Sequence, residues 1–320
     1  MNFFSELYNG AKFLSAYLIK SPVCHYRPPM VMVEPTNNCN LKCVMCPHDK
    51  MIRRKGYMGI ELYKELIKNN YRFMLNLNLF FMGEPLLHPQ IAEMICYARN
   101  FKIRTSIFTN ATLMDEEKCR QLLSSGVNSI TISFEGLEGR YESIRKNSNY
   151  NKVIDNISRI VSIKRFLKRK STQLIIKFIN FNFNHQEVKK FVVKMKKIGI
   201  DKVWEVPVHS WPDFRAAGQS QPKKYYPCVL PWSAISVLWD GKVTGCCDDF
   251  DGRIIIGDIN QTPDLSKIWN GPKMNFLRTR LARKEYADLE LCRDCDRLWQ
   301  PPFKYPILQN AIWNLKERLP

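Results

Sequence analysis

The stretch Glu34-Pro-Thr-Asn-Asn-Cys-Asn-Leu-Lys-Cys-Val-Met-Cys-Pro-His48 decides how the rest of this sequence is read. It continues a short apolar run, Met30-Val-Met-Val-Glu34, that has strand character. Cys39, Cys43 and Cys46 stand at the spacing C-x3-C-x2-C. Three thiolates from one tight loop at a strand end make a soft, sulfur-rich site suited to iron–sulfur or zinc. Such sites usually take four ligands, so a cluster held by these three keeps one metal position open.

Working outward, apolar runs recur at 75–82, 103–108, 129–134, 174–179 and 202–208. Helical patterns separate them at about 60–69, 89–100, 115–124, 153–167 and 186–197. Asp115 and Gly126 read as the cap and stop of one of these helices. Six strands alternating with helices imply parallel β/α units, in an open sheet or a partial barrel. Barrel chemistry collects at the C-terminal strand ends. The unusual residues fall there: the three cysteines, Gly83-Glu84-Pro85, Asn110, Glu135 and His209. Taken singly each has a plain structural reading. Glu84 caps a helix or holds a ligand amine, Asn110 and Glu135-Gly136 are turn residues, Arg145 is a surface charge, and His88 or His209 is a satisfied histidine.

The pattern breaks after about residue 210, where prolines at 207, 212, 222 and 227 mark a transition. Residues 235–239 and 242–246 around Asp240-Gly241 read as a hairpin, 253–256 as a short strand, and 265–283 as one or two helices. This part carries Cys228, Cys246, Cys247, Cys292 and Cys295. The pairs Cys228/Cys246 and Cys292/Cys295 complete a four-thiolate site, and spacing alone leaves zinc and iron–sulfur level. Neighbouring strand residues point to opposite faces, so only one of Cys246 and Cys247 is expected to ligate. Cys96 and Cys119 lie in helical patterns and read as core; Cys24 also stands outside the clusters.

Composition sets the outer bounds. With 320 residues and 45% hydrophobic content, the chain can bury a full core. It has no run of eighteen or more apolar residues that would span a membrane. The N-terminus carries Glu6 and lacks a signal-peptide pattern, so eleven cysteines point to metal ligation in a reducing cytoplasm rather than disulfides. A formal charge of +19 favours anionic partners. No nucleic-acid module is recognisable, so nucleic acid is disfavoured against phosphorylated, nucleotide-linked or glycosyl small molecules. Phe3, Phe4, Leu7, Phe13, Leu14, Tyr17 and Leu18 make an amphipathic helix; packing on the domain is the favoured reading, membrane-surface or partner docking the sharper one.

With these residues laid out, the chain resembles the radical S-adenosylmethionine (radical SAM) enzymes. Cys39, Cys43 and Cys46 match that superfamily's cluster motif, with Met45 where an apolar residue flanks the adenine. Phe81-Met82-Gly83-Glu84-Pro85 is similar to the Gly-Gly-Glu motif, with Met82 replacing its first glycine. Thr109-Asn110-Ala111 and Ile132-Ser-Phe-Glu-Gly136 look like the later strand-end motifs, the second with glutamate where aspartate is commoner. The C-terminal part resembles the SPASM/twitch extension through Cys228, Gly241, Cys246, Trp269-Asn270 and Cys292-x2-Cys295. No cysteine follows Cys295, which argues for one auxiliary cluster. This layout is similar to that of twitch-type cyclitol dehydrogenases, which moves the level choice above to iron–sulfur.

The resemblance implies a partial (β/α)6 TIM-like barrel with a small C-terminal domain. Its bounds are an N-terminal helical extension at 1–29, the radical SAM core at 30–212, the auxiliary-cluster domain at 213–305 and a tail helix at 306–320. It implies a 4Fe–4S cluster on Cys39, Cys43 and Cys46, chelating S-adenosylmethionine, and one auxiliary 4Fe–4S cluster on Cys228, Cys246, Cys292 and Cys295. Glu84 would meet the amino group, Ser133 and Arg145 the ribose and carboxylate, with Asn110 also on the cofactor. The expected reaction is oxidation of a hydroxyl-bearing sugar or cyclitol by a 5′-deoxyadenosyl radical, with flavodoxin or ferredoxin as reductant. Glu135, Glu205 and His209 are strand-end candidates for the base. A peptide maturase, a radical epimerase using a thiol such as Cys24, Cys96, Cys119 or Cys247, and a zinc-stabilised binding protein are the alternatives.

Overall fold

The computed structural model describes residues 3–181, 187–207, 224–299 and 301. The expected tail helix and the boundary at 212 lie outside the described residues. Helix α1 (Phe3–Leu18) comes first, followed by six strands: β1 (Met30–Val33), β2 (Asn76–Leu79), β3 (Arg104–Thr109), β4 (Ser129–Ser133), β5 (Gln173–Asn180) and β6 (Lys202–Pro207). Helices α2 (Ile60–Asn70), α3 (Ile91–Asn100), α4 (Glu116–Ser125), α5 (Tyr150–Phe166) and α6 (Val188–Ile198) alternate with them. This is the mixed α/β, parallel-rich architecture expected for a partial barrel. No helix among the described residues is long and apolar enough to cross a membrane.

The chain divides into two compact units. One comprises Val33–Lys64 and Leu77–Val208; the other comprises Met1–Met32, Glu65–Asn76 and His209–Pro320. In the first, strands run in the order β2-β3-β4-β5-β6. The β3/β4, β4/β5 and β5/β6 pairs are parallel, with Thr109 opposite Ile132, Ser133 opposite Lys177 and Phe178 opposite Glu205. This register brings the C-terminal ends of β3 and β4 level, so Asn110 and Glu135 emerge at one edge of the sheet.

Local signals set the helix ends. The Asp115 carboxylate accepts from Lys118 N at 2.7 Å, and Gly126 closes α4 at φ +82°. Helix α5 begins at Tyr150, three residues before the apolar periodicity starts at Val153. The reason is a cap: Asn149 Oδ1 accepts from Lys152 N at 2.9 Å. Phe134, Phe178 and Phe191 form a buried aromatic cluster, with Phe178 and Phe191 centroids 4.8 Å apart.

The second unit holds β7 (Ala234–Val237), β8 (Lys242–Thr244) and β9 (Ile255–Asp258), in the order β9-β8-β7-β1. The β7/β8 hairpin turns at Asp240-Gly241, with Gly241 at φ +90°. The region 265–283 is two helices, α7 (Leu265–Trp269) and α8 (Pro272–Ala282), because Gly271 precedes a proline at the first helical position. Trp269 is fully buried under the Arg278 guanidinium, 4.2 Å from the ring centroid. Asn270 accepts from Cys24 N at 2.8 Å and donates to Cys24 O at 3.1 Å, pinning that backbone as a strand partner would.

Two expectations are corrected here. The apolar residues of α1 do not share one face: Phe13 and Tyr17 are buried, but Phe4, Leu7, Leu14 and Leu18 are exposed. Tyr17 donates to Pro227 O at 2.7 Å and packs edge-on against Trp232, which fixes the helix's inner side. Cys96 is exposed rather than core, because Met94, Ile95 and Ala98 take the inner face of α3. Cys119 is buried, as its helical position suggested.

Candidate active site

The cysteine loop is closed by backbone recognition at its base. Thr36 donates to Gly56 O at 2.6 Å, Asn37 Oδ1 accepts from Gly56 N at 2.8 Å, and Asn37 Nδ2 donates to Arg54 O at 3.0 Å. Glu34 is fully buried, and both its oxygens take the Arg53 guanidinium, at 2.7 and 2.5 Å. His48 adds a ring nitrogen 2.8 Å from Asn37 O. These contacts hold residues 38–55 as a compact excursion that presents Cys39, Cys43 and Cys46, each half-buried, with Met45 half-buried between the last two.

Gly83 sits directly beneath this loop. At φ +93° it lies so close that a Cβ would fall 2.5 Å from Asn38 O and 2.8 Å from Asn37 C and Thr36 O. The next amide, Glu84 N, donates to Asn38 O at 2.8 Å. The Glu84 side chain is buried and accepts three donors: Leu86 N at 3.0 Å, Thr109 Oγ1 at 2.7 Å and Asn110 N at 2.7 Å. Burial raises its carboxyl above the usual range, and these hydrogen bonds and Arg145 oppose the rise. Asn110 donates to Asn40 Oδ1 at 3.0 Å, and its own Oδ1 takes Thr112 N and Oγ1 at 3.0 and 2.7 Å. Glu84 and Asn110 therefore each combine the local cap or turn role with a link to the cysteine loop. His88 is structural: its ring takes Gln90 N at 3.1 Å and meets Met58 O at 2.9 Å.

Arg145 and Glu135 form a buried pair. Nε–Oε2 is 2.5 Å and Nη2–Oε1 is 2.9 Å, while Nη1 reaches Cys43 Sγ at 3.4 Å. The backbones pair as well, since Lys42–Cys43 and Arg145–Lys146 form a two-residue antiparallel ladder with Cys43 opposite Arg145. Arg145 is thus no surface charge, and Glu135 is no simple turn residue. Glu205 is exposed and meets Asn180 Nδ2 at 2.5 Å, Ser133 ends β4 half-buried, and His209 lies outside the described residues.

Burial pushes the Cys39 thiol up to about 12 and the Cys46 thiol up to about 11. Burial raises Cys43 too, with Arg145 pulling the other way. Thiols so placed hold their protons until a metal displaces them.

The second thiol group is built on the 244–254 loop. Asp249 is fully buried and organises it, accepting from Thr244 Oγ1, Arg253 N and Ile254 N, each at 2.8 Å. Strand β8 stops at Thr244, so Cys246 and Cys247 both lie in the turn, and strand alternation does not separate them. Burial raises both thiols and Asp248 adds to each; Cys247 Sγ donates to Asp248 Oδ1 at 3.7 Å, whereas Cys246 also feels Cys228 and Cys292. The Cys292 and Cys295 thiols rise to about 12 by burial. Beside them is an ion pair that sequence reasoning missed, buried Asp248 with half-buried Arg297, whose Nη2–Oδ1 distance is 3.0 Å.

These donor sets suit iron–sulfur clusters: thiols alone, in loops, with the nearby carboxylates already engaged by arginines or amides. Among the described residues no three Cys, His, Asp or Glu side chains gather tightly enough for a single ion. A cuboidal cluster instead takes its thiolates on separate irons.

Comparison with known proteins agrees. The Radical SAM superfamily model matches residues 33–192, half of the chain, and the iron–sulfur cluster-binding SPASM model matches residues 228–296. The S-adenosyl-L-methionine-dependent 2-deoxy-scyllo-inosamine dehydrogenase of Niallia circulans is 22% identical over 275 residues, covering 84% of this chain and 93% of that protein. Other curated relatives match over 120 and 136 residues, spanning 30% and 43% of their own lengths. Among solved structures, BtrN in complex with AdoMet and 2-DOIA aligns with TM-score 0.59 at 19% identity, covering 87% of this chain and 96% of that one. Streptococcus suis SuiB bound to S-adenosylmethionine aligns with TM-score 0.63 at 15% identity, covering 85% and 72%. The cofactors follow from the two domains: a 4Fe–4S cluster with S-adenosylmethionine in the first, and auxiliary iron–sulfur in the second. The loop geometry and both domain matches lead to one conclusion: this chain belongs to the radical SAM superfamily and carries a C-terminal SPASM domain.

Proposed function

We propose that this enzyme is a dehydrogenase of a hydroxyl-bearing cyclitol or sugar, possessing an anionic or glycosyl character that suits its basic charge. Cys39, Cys43 and Cys46 hold the first cluster, within a core at 30–212. Cys228, Cys246, Cys292 and Cys295 hold one auxiliary cluster, within 213–305. With a one-electron donor such as flavodoxin or ferredoxin, the cluster these cysteines would hold would supply reductive cleavage of S-adenosylmethionine and so hydrogen abstraction from substrate.

The chain's own residues position that chemistry. A carboxylate offers about four acceptor sites, and Glu84 has three filled by protein donors. The remaining one accepts the amino group of S-adenosylmethionine. Arg145 has N–H donors left beyond Glu135 and Cys43, and with Ser133 they bind the carboxylate and ribose. Met45 would flank the adenine, and Asn110 would steady the cysteine loop through Asn40. Glu135 acts by fixing Arg145 and is withdrawn from the candidates for the base; Glu205 keeps that role open.

The observation that carries this reading is the dehydrogenase match across both domains, spanning 93% of that relative. The auxiliary thiols supply a reason for oxidation, since the cluster they would hold could accept the second electron of an alcohol oxidation, with the proton passing to a base. The test is anaerobic turnover with S-adenosylmethionine, a strong reductant and 2-deoxy-scyllo-inosamine or related cyclitols. A ketone formed in step with 5′-deoxyadenosine supports the reading. An epimerised or peptide product would replace it.

A further inference from the structure

Helix α1 is apolar on two opposite sides. Its inner side, Asn9, Phe13, Ala16 and Tyr17, is buried within its own unit. Its outer side carries Phe4, Leu7, Ala11, Leu14 and Leu18, at spacings of three and four residues that line one face. Phe4, Leu7, Leu14 and Leu18 are 72, 50, 40 and 62% exposed. Tyr8 and Ile19 flank them at 64 and 72%, and Val23 extends the run. Seven of the thirteen exposed large apolar side chains among the described residues thus fall between Phe4 and Val23. Scattered apolar exposure is ordinary, but a contiguous stripe marks an interaction surface.

A second feature adjoins it. A cavity of about 380 Å³ opens beside α1, lined in part by Ser5, Lys12, His25, Arg27, Ser266 and Asn270. Its lining combines Lys12, His25 and Arg27 with polar and aromatic side chains, Tyr8, Tyr26 and Phe73 among them, and Glu6 acts electrostatically on Arg27. Lys12 lies over the Tyr8 ring at 4.4 Å, which sets its ammonium at the border between cavity and stripe.

We propose that the outer face of α1 and this basic cavity form a docking surface for an anionic lipid membrane. The stripe enters the acyl boundary with the helix lying in the interface plane, and the cavity receives a headgroup phosphate. The chain's net charge of +19 draws it to such a surface. A second copy of the chain suits the site less well, because it would bring together two chains that each carry a net charge of +19. This inference is independent of the cyclitol reading, since it concerns a different face and a different ligand.

The test is co-sedimentation of the full-length, cluster-loaded protein with vesicles of phosphatidylcholine alone and of phosphatidylcholine with phosphatidylglycerol. Binding to the anionic vesicles should exceed binding to the neutral ones by about tenfold near 0.1 M salt and fall as salt rises. The double variant Leu7→Glu/Leu14→Glu should lose that binding while keeping its iron content and 5′-deoxyadenosine formation. Lys12→Glu should lower anionic binding alone. Absence of binding to both vesicles, or equal binding to both, overturns the proposal. So does a light-scattering dimer that the double variant converts to monomer without any vesicle capture, which assigns the face to a second copy.

Discussion

Arg145 lies 3.4 Å from the Cys43 sulfur through Nη1 and faces Cys43 in backbone register, while its other nitrogens grip Glu135. One guanidinium therefore joins a cluster-loop thiol to the end of β4. Removing one member of a buried pair leaves the other charge uncompensated, at a cost of about 3–5 kcal/mol. Arg145→Met should lower stability by that order, measured by urea unfolding of anaerobic protein. Adding Glu135→Gln should recover part of the loss. A double variant as unstable as the sum of the two singles would show that the pair is not coupled.

Gly83 has no room for a side chain against the backbone of residues 36–38. Gly83→Ala should therefore push the 34–56 excursion off its seat. Its left-handed φ adds strain, and the combined penalty should reach about 2 kcal/mol or more. The expected result is a lower melting temperature together with reduced iron at the first site. Wild-type iron loading at unchanged melting temperature would contradict the close packing seen here.

The pH dependence follows from two buried histidines. Burial holds His48 and His88 below their ordinary value of 6.5. The unfolded chain then takes up protons that the folded one refuses, so stability falls as pH drops below about 6.5. His88 has a definite reason: its ring accepts from Gln90 N and donates to Met58 O, and protonation would remove the acceptor. Thermal midpoints between pH 7.5 and 5.5 should decline, and His88→Gln, though less stable throughout, should decline less steeply.

The auxiliary ligands separate by iron analysis. Two clusters of the four-iron type give about eight irons per chain. Cys246→Ala should bring this to about four, whereas Cys247→Ala should leave it near the parent value. The reverse result would make Cys247 the ligand and Cys246 its neighbour.

Much of this site was legible because its signals are local. The cysteine spacing, the six strand ends and the caps at Asp115 and Gly126 depend on neighbours within a few residues. What escaped were partnerships across long sequence separations. Nothing beside Arg53 announces Glu34, and nothing beside Arg297 announces Asp248; only the folded chain brings each pair together. Arg145 and Asn270 looked like surface or motif residues for the same reason. Helix α1 misled differently: its apolar residues suggested one packed face, and only the burial of Phe13 and Tyr17 beside the exposure of Leu7 and Leu14 revealed two. Strand alternation does not govern Cys247, because β8 ends at Thr244.

The central claim is that the thiols of the Cys39–Cys46 loop hold the cluster that cleaves S-adenosylmethionine. The direct measurement is 5′-deoxyadenosine released anaerobically with S-adenosylmethionine and a strong reductant, in parent protein and in Cys43→Ala. The account predicts release by the parent and none by the variant, with auxiliary iron retained at about four per chain. A Cys43→Ala protein that still released 5′-deoxyadenosine would contradict it.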